Sequence, residues 1–142
     1  MTQASGHTRT SITLDDFMTG LLAGLAQRGI RVVSIRGPAF YRAVEKVFIK
    51  LDHLAEEKNL GLRFWITRNR VYGDSADVRE GIAKAVQRDL ISLDNPEYQD
   101  MRLKIGPEDA GDYLSTLPGG AKLYEQLAET FLDVYPALVE NR

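Results

Sequence analysis

The chain has 142 residues, 44% of them hydrophobic, 27% charged and 8% aromatic, with a net charge of −2; this is the make-up of one globular domain and fits neither a disordered chain, a collagen nor a disulfide scaffold. The absence of cysteine excludes thiolate catalysis, disulfides and cysteine-ligated zinc or iron–sulfur centres, and two histidines, His7 and His53, leave little for a histidine-based metal or proton-transfer site. Charge is uneven along the chain: Arg28 to Arg70 holds ten Lys/Arg against four acids, whereas Ile105 onward holds two against seven, an asymmetry that suggests an interaction face, phosphate being one partner that suits its basic side.

Residues 1–13 are polar, lack the apolar core of a secretory signal and read as a flexible lead-in. No apolar stretch approaches the roughly 20 residues of a membrane span, so a cytoplasmic protein is expected. Asp15 to Gln27 has helical periodicity, with Phe17, Leu21, Leu22, Leu25 and Ala26 near one face and Gly29 as its stop. Ile30 to Ile35 is short and β-branched, either a strand or an extended connector. Pro38 suits the first turn of a helix, where its missing N–H costs nothing.

That helix, about Ala39 to Lys58, places Phe40, Ala43, Val44, Val47, Phe48, Leu51, Leu54 and Ala55 on one face. Arg42, Lys46, Lys50 and His53 fall on the other, and only Ile49 breaks the pattern. Leu62 to Thr67 is aromatic and β-branched and predicts a strand. A helix capped by Ser75 or Asp74 follows and runs to about Leu90, with Val78, Ile82, Ala85 and Val86 inward and Glu80, Lys84, Gln87 and Arg88 outward. Gly81, at the edge of the inward face, predicts a close approach to another helix. Leu90 to Leu93 and Met101 to Ile105 form a predicted hairpin around the turn that Asn95-Pro96 starts. Two helices close the chain, about Pro107 to Leu117 and Gly120 to Tyr135. The apolar arc of the last one, including Tyr124, Phe131 and Tyr135, is wider than a core stripe needs, which suggests a second contact surface such as another protomer.

The order of elements resembles a winged helix. The stretch Val71 to Ile105 carries the likeness: a helix ending in Gln87-Arg88-Asp89-Leu90-Ile91 runs straight into a hairpin, and Gly106-Pro107-Glu108-Asp109 opens the next helix. This is similar to the recognition helix, wing and following helix of small bacterial winged-helix regulators. Tyr72-Gly73-Asp74-Ser75 resembles the Tyr-Gly-Pro-x-Ser pattern of winged-helix-like domains in bacterial antitoxin and defence-accessory proteins, with Asp74 in place of proline. The likeness covers residues 14–117, leaving 118–142 as a C-terminal helix and tail able to serve dimerisation. The predicted strand at Leu62 to Thr67 departs from a helix-turn-helix, whose two helices lie back to back. Either the order is permuted, or Arg68 to Gly73 contains a short turn.

The resemblance implies an α+β, mainly helical domain with a winged-helix-like core, a small sheet and C-terminal helices, and a non-enzymatic regulator without cofactor or metal. Its first expected partner is double-stranded DNA. Lys84, Gln87 and Arg88 would face bases, since Arg and Gln suit bidentate contacts with guanine and adenine edges, and Arg42, Lys46, Lys50, Arg68 and Arg70 would face phosphates. The alternative is a protein-interaction adaptor or antitoxin-like subunit of a bacterial assembly, using Tyr98 and the C-terminal residues Tyr124, Phe131 and Tyr135, with a homodimer through the last helix. The hairpin loop favours this alternative: Asp94, Glu97 and Asp100 would repel a phosphate backbone. Trp65, Phe64, Phe40 and Phe48 are expected in the core. His53 with Glu56 and Glu57 does not converge on one point of its helix, and Gly37-Pro38 and Gly119-Gly120 match no phosphate-binding pattern and read as turns.

Overall fold

The computed structural model describes residues 10–35, 37–93, 100–135 and 139–140, and at its centre lies a helix, α1 (Leu14–Gln27). Thr13 starts it with a capping box: the Thr13 hydroxyl accepts from the Asp16 amide at 3.1 Å, and the Asp16 carboxylate accepts from the Thr13 amide at 2.9 Å. Two amides that a helix start would leave without partners are thereby satisfied. Every residue from Phe17 to Ala26 is buried. Helices packed on several sides cover it, so the single apolar face of the sequence reading understates its burial.

Residues expected to be a flexible lead-in are in part a strand. β1 (Ser11–Ile12) pairs in parallel with β3 (Gly61–Leu62), Ile12 opposite Leu62, and Ile12 is fully buried; residues 1–9, His7 among them, lie outside the described residues. After α1 the chain enters β2 (Val32–Ser34), which settles the nature of Ile30 to Ile35: β2 is an inner strand of a four-stranded antiparallel sheet. The order of that sheet is β4 (Ile91–Leu93), β5 (Asp100–Leu103), β2 and β6 (Val139–Glu140). Val33 stands opposite Met101 on one side and Val139 on the other. The Arg31 guanidinium donates to the Leu103 and Ile105 carbonyls, at 2.8 Å each, and ties the start of β2 to the end of β5.

Helix α2 (Gly37–Glu57) buries Phe40, Ala43, Val44, Val47, Phe48, Leu51 and Ala55, as its periodicity predicts. The strand predicted at Leu62 to Thr67 is a correction: only Gly61 and Leu62 pair, and from Arg63 onward the segment makes no ladder among the described residues. Its aromatic side chains are used for packing instead. The Phe64 ring lies 5.3 Å from both Phe17 of α1 and Phe48 of α2, a wedge between the two helices. Residues 63–75 therefore form a connector that follows α2 back along its length, with Trp65 against Phe48, Arg68 at Glu45 and Gly73 beside Pro38.

Ser75 caps α3 (Ala76–Gln87), its hydroxyl accepting from the Val78 amide at 3.3 Å. Gly81 makes the predicted close approach: a Cβ there would stand 2.7 Å from Met18 Cγ of α1. Helix α3 leads into β4, and β5 leads through Gly106 into α4 (Pro107–Thr116) and then α5 (Ala121–Val134). Both α1 and α2 pack on α5, whereas α2 and α3 scarcely touch each other. One continuous cluster of buried side chains runs from Ile12 to Tyr135, so the last helix belongs to the same core as the rest.

Candidate functional site

Of the residues expected to read bases, one is held by another element of its own chain. The Arg88 guanidinium donates to the Thr19 hydroxyl of α1 at 2.8 Å, and the Lys84 ammonium lies 3.4 Å from the Glu80 carboxylate one helical turn away. Gln87 is exposed on the last turn of α3. Of the expected phosphate contacts, Arg68 donates from Nε to Glu45 at 3.1 Å. Arg42, Lys46 and Lys50 project from α2 into solvent, and with the exposed Arg70 they form no ion pair among the described residues. The α2 row is thus exposed and unpaired among the described residues, whereas on α3 Arg88 is tied to α1, Lys84 makes an exposed surface pair and Gln87 is exposed.

The C-terminal aromatics are a correction. Tyr124, Phe131 and Tyr135 are buried, because α5 packs against both α1 and α2. Tyr124 donates its hydroxyl to the Pro118 carbonyl, and Tyr135 donates to the Ser34 carbonyl at 2.8 Å. Burial, and after it the Asp16 carboxylate, pushes the Tyr124 phenol well above its ordinary pKa, since the charged phenolate would lose its water. These side chains hold helices together and are not offered to a partner. Tyr98, with the rest of the hairpin loop at 94–99, lies outside the described residues.

The expectation of a core tryptophan is also corrected, and here a different site emerges. Phe40 and Phe48 are buried and Phe64 is partly so, but Trp65 is 58% exposed. Its ring packs edge-on against Phe48 at 5.1 Å, which fixes its direction without covering it. Trp65 lines three adjoining depressions. The largest, about 760 Å³, runs between α2 and the connector past Glu45, Phe48, Ile49, Ile66, Thr67, Arg68 and Arg70. A second, about 390 Å³, is bounded by Asp52, Ala55, Glu56, Leu60 and Leu62. The third, about 450 Å³, lies towards α3, with Asp15, Arg63, Asp77, Glu80 and Lys84 around it. Ile49, the residue that broke the helical pattern, is 52% exposed beside the ridge.

The connector ends in a turn that presents more apolar surface. The Asn69 side-chain oxygen accepts from the amides of Val71 and Tyr72 at 2.8 and 2.9 Å, and the Gly73 amide returns to the Asn69 carbonyl at 2.8 Å. Asn69 donates its own amide to the Asp74 carbonyl at 2.6 Å. Val71 and Tyr72 stand outside this hydrogen-bonded frame, 82% and 78% exposed. Turn side chains that fold back on their own backbone are the usual role of Asn in such positions; here that role fixes two apolar residues in water. The sequence held one signal for this surface, the misplaced Ile49; the alternation Phe64 in, Trp65 out, Ile66 in, Thr67 out is seen only in the folded chain.

Among the described residues, no group of three or more His, Asp or Glu side chains is placed to hold a metal ion, and no helix is long and apolar enough to cross a membrane. Compared with known proteins, the chain matches no family model, no curated protein and no solved structure.

Proposed function

We propose that the chain is a non-enzymatic protein-interaction module on a winged-helix-like core, docking a partner protein through the surface centred on Trp65. The observation that carries this is the exposed Trp65 ridge where three grooves meet, flanked by Ile49. Tryptophan dominates binding energy at protein interfaces when it sits among pockets that exclude water. Leaving such a ring in water on a rigid support, with Ile49 exposed beside it, presents apolar area that a partner can bury. The winged-helix reading is supported by α3 running into the β4–β5 hairpin with α4 after it. The connector wedge between α1 and α2 marks its departure from a plain helix-turn-helix.

Charge favours a protein over a nucleic acid on this surface. The three grooves carry six carboxylates (Asp15, Glu45, Asp52, Glu56, Asp77 and Glu80) against four cations (Arg63, Arg68, Arg70 and Lys84). Affinity for a duplex comes mainly from phosphates meeting cations, and this surface as a whole opposes that.

The test is retention of proteins from an extract of the source cells on the immobilised chain, compared among wild type, Trp65→Ala and Ile49→Asp. The reading requires a protein retained by wild type and lost in both variants while their circular dichroism and Tm stay unchanged. The same proteins on all three would overturn it.

DNA remains a second reading because Arg42, Lys46 and Lys50 repeat every fourth residue along one exposed side of α2, a spacing that can follow a phosphate strand. It requires duplex binding at about 50 mM salt that collapses at about 200 mM. Lys46→Ala would lower the salt slope by roughly one; no binding at the lower salt would dismiss it.

A further inference from the structure

The Trp65 surface is not uniform in charge, and its largest groove specifies an occupant. The apolar lining of that groove is Phe48, Ile49, Trp65 and Ile66. Its connector bank carries Arg68 and Arg70, and its only acid among the described residues, Glu45 on the α2 bank, already accepts from Arg68 at 3.1 Å. Arg70 thus faces the groove without an ion pair among the described residues. Beyond Trp65 the sign reverses. Asp52 and Glu56 line the second groove, and Asp15, Asp77 and Glu80 outnumber Arg63 and Lys84 in the third.

We infer that the groove between α2 and the connector takes a short acidic segment of the partner protein, with a bulky apolar side chain seated against Trp65 and Ile49 and a carboxylate facing Arg70 on the connector bank. A polyanion long enough to leave the groove would run onto the carboxylates on the far side of Trp65. A peptide with local negative charge need not. Apolar anchors provide the affinity at such sites, while complementary charge sets the register and rejects wrong partners.

This rests on the protein-docking reading, and the experiment separates the two. A random peptide library displayed on phage is selected against the immobilised full chain. Enriched peptides are then titrated into the soluble protein, with emission from Trp65, the sole tryptophan, as the signal of occupancy. The expected peptides combine Asp or Glu with a bulky apolar residue and shift the emission to the blue. They bind Arg70→Glu and Ile49→Asp at least about tenfold more weakly, and both variants keep the wild-type circular dichroism and Tm. Peptides that shift Trp65 but are neutral or basic, and ignore Arg70→Glu, overturn the acidic occupant and leave protein docking intact. A selection in which no enriched peptide reaches Trp65 also overturns the acidic occupant. Single- or double-stranded DNA that shifts Trp65 at about 50 mM salt overturns both readings.

Discussion

The Tyr124 ring of α5 presses on Gly20 of α1 so closely that a Cβ at position 20 would stand 2.0 Å from Tyr124 Cδ1. The two helices therefore meet at a point where one of them has no side chain, and Tyr124 reaches past it to the Pro118 carbonyl. Gly20→Ala should lower stability in urea unfolding by about 1–2 kcal/mol: overpacking a core costs about 1–3 kcal/mol, and the better helix propensity of alanine offsets part of that. Shrinking the ring, as in Gly20→Ala with Tyr124→Leu, should show a coupling term that recovers some of the loss. Additive losses would contradict the contact.

Tyr124 also makes stability depend on alkaline pH. Burial, then Asp16, raises its native pKa, while in the unfolded chain it titrates near its ordinary value of about 10. Above that pH the unfolded state loses a proton that the native state keeps, so stability falls as pH rises. At pH 7 Tyr124→Phe should be less stable by about 1 kcal/mol for the lost hydrogen bond. Above pH 10 wild type should lose stability relative to Tyr124→Phe by up to about 1.4 kcal/mol per pH unit, closing the gap. Denaturation curves for the two proteins that stay parallel from pH 8 to 11 would contradict this.

The turn that displays Val71 and Tyr72 depends on Gly73. Its φ of +77° lies in the left-handed region, and a Cβ there would come within 2.5 Å of Pro38. Gly73→Ala should cost more than about 1 kcal/mol. Gly111 is the contrast: it sits exposed in α4 with nothing within 4 Å of an added Cβ, so Gly111→Ala should gain about 0.5–1 kcal/mol. Thermal melts of the two variants should move in opposite directions.

Arg88 should register as a stability residue. Its guanidinium joins the end of α3 to Thr19 inside α1. Arg88→Ala and Thr19→Val should each cost about 1 kcal/mol, and the double variant should cost less than the two added. A residue free to contact bases would leave the melting temperature unchanged on removal.

The five helices were legible because each carries its own period, and Ser75, Gly29 and Pro107 mark ends that backbone chemistry dictates. Three errors share one cause: local pattern does not say what lies alongside. Leu62 to Thr67 has the composition of a strand, but composition supplies no pairing partner, and Phe64 found a place between Phe17 and Phe48 instead. The wide apolar arc of α5 suggested that Tyr124, Phe131 and Tyr135 meet a partner, yet the packing of α1 and α2 on that helix buries these three side chains within the chain. Trp65 looked like core by type, and only the stray Ile49 on the neighbouring helix hinted at an exposed apolar surface. Lys84 and Arg88 face outward on α3, as the period says, but their partners Glu80 and Thr19 become visible only in the folded arrangement.

The central claim is that the Trp65 surface binds protein, and photo-cross-linking inside the source cells tests it most directly. A benzophenone amino acid would replace Ile49 or Thr67, both exposed and lining the main groove, and Tyr113 or Val134, which are exposed positions outside the three grooves. Adducts of discrete mass, resistant to nuclease and sensitive to protease, should form from positions 49 and 67 and not from 113 or 134. Nuclease-sensitive adducts from 49 and 67, or equal protein adducts from all four positions, would contradict the account.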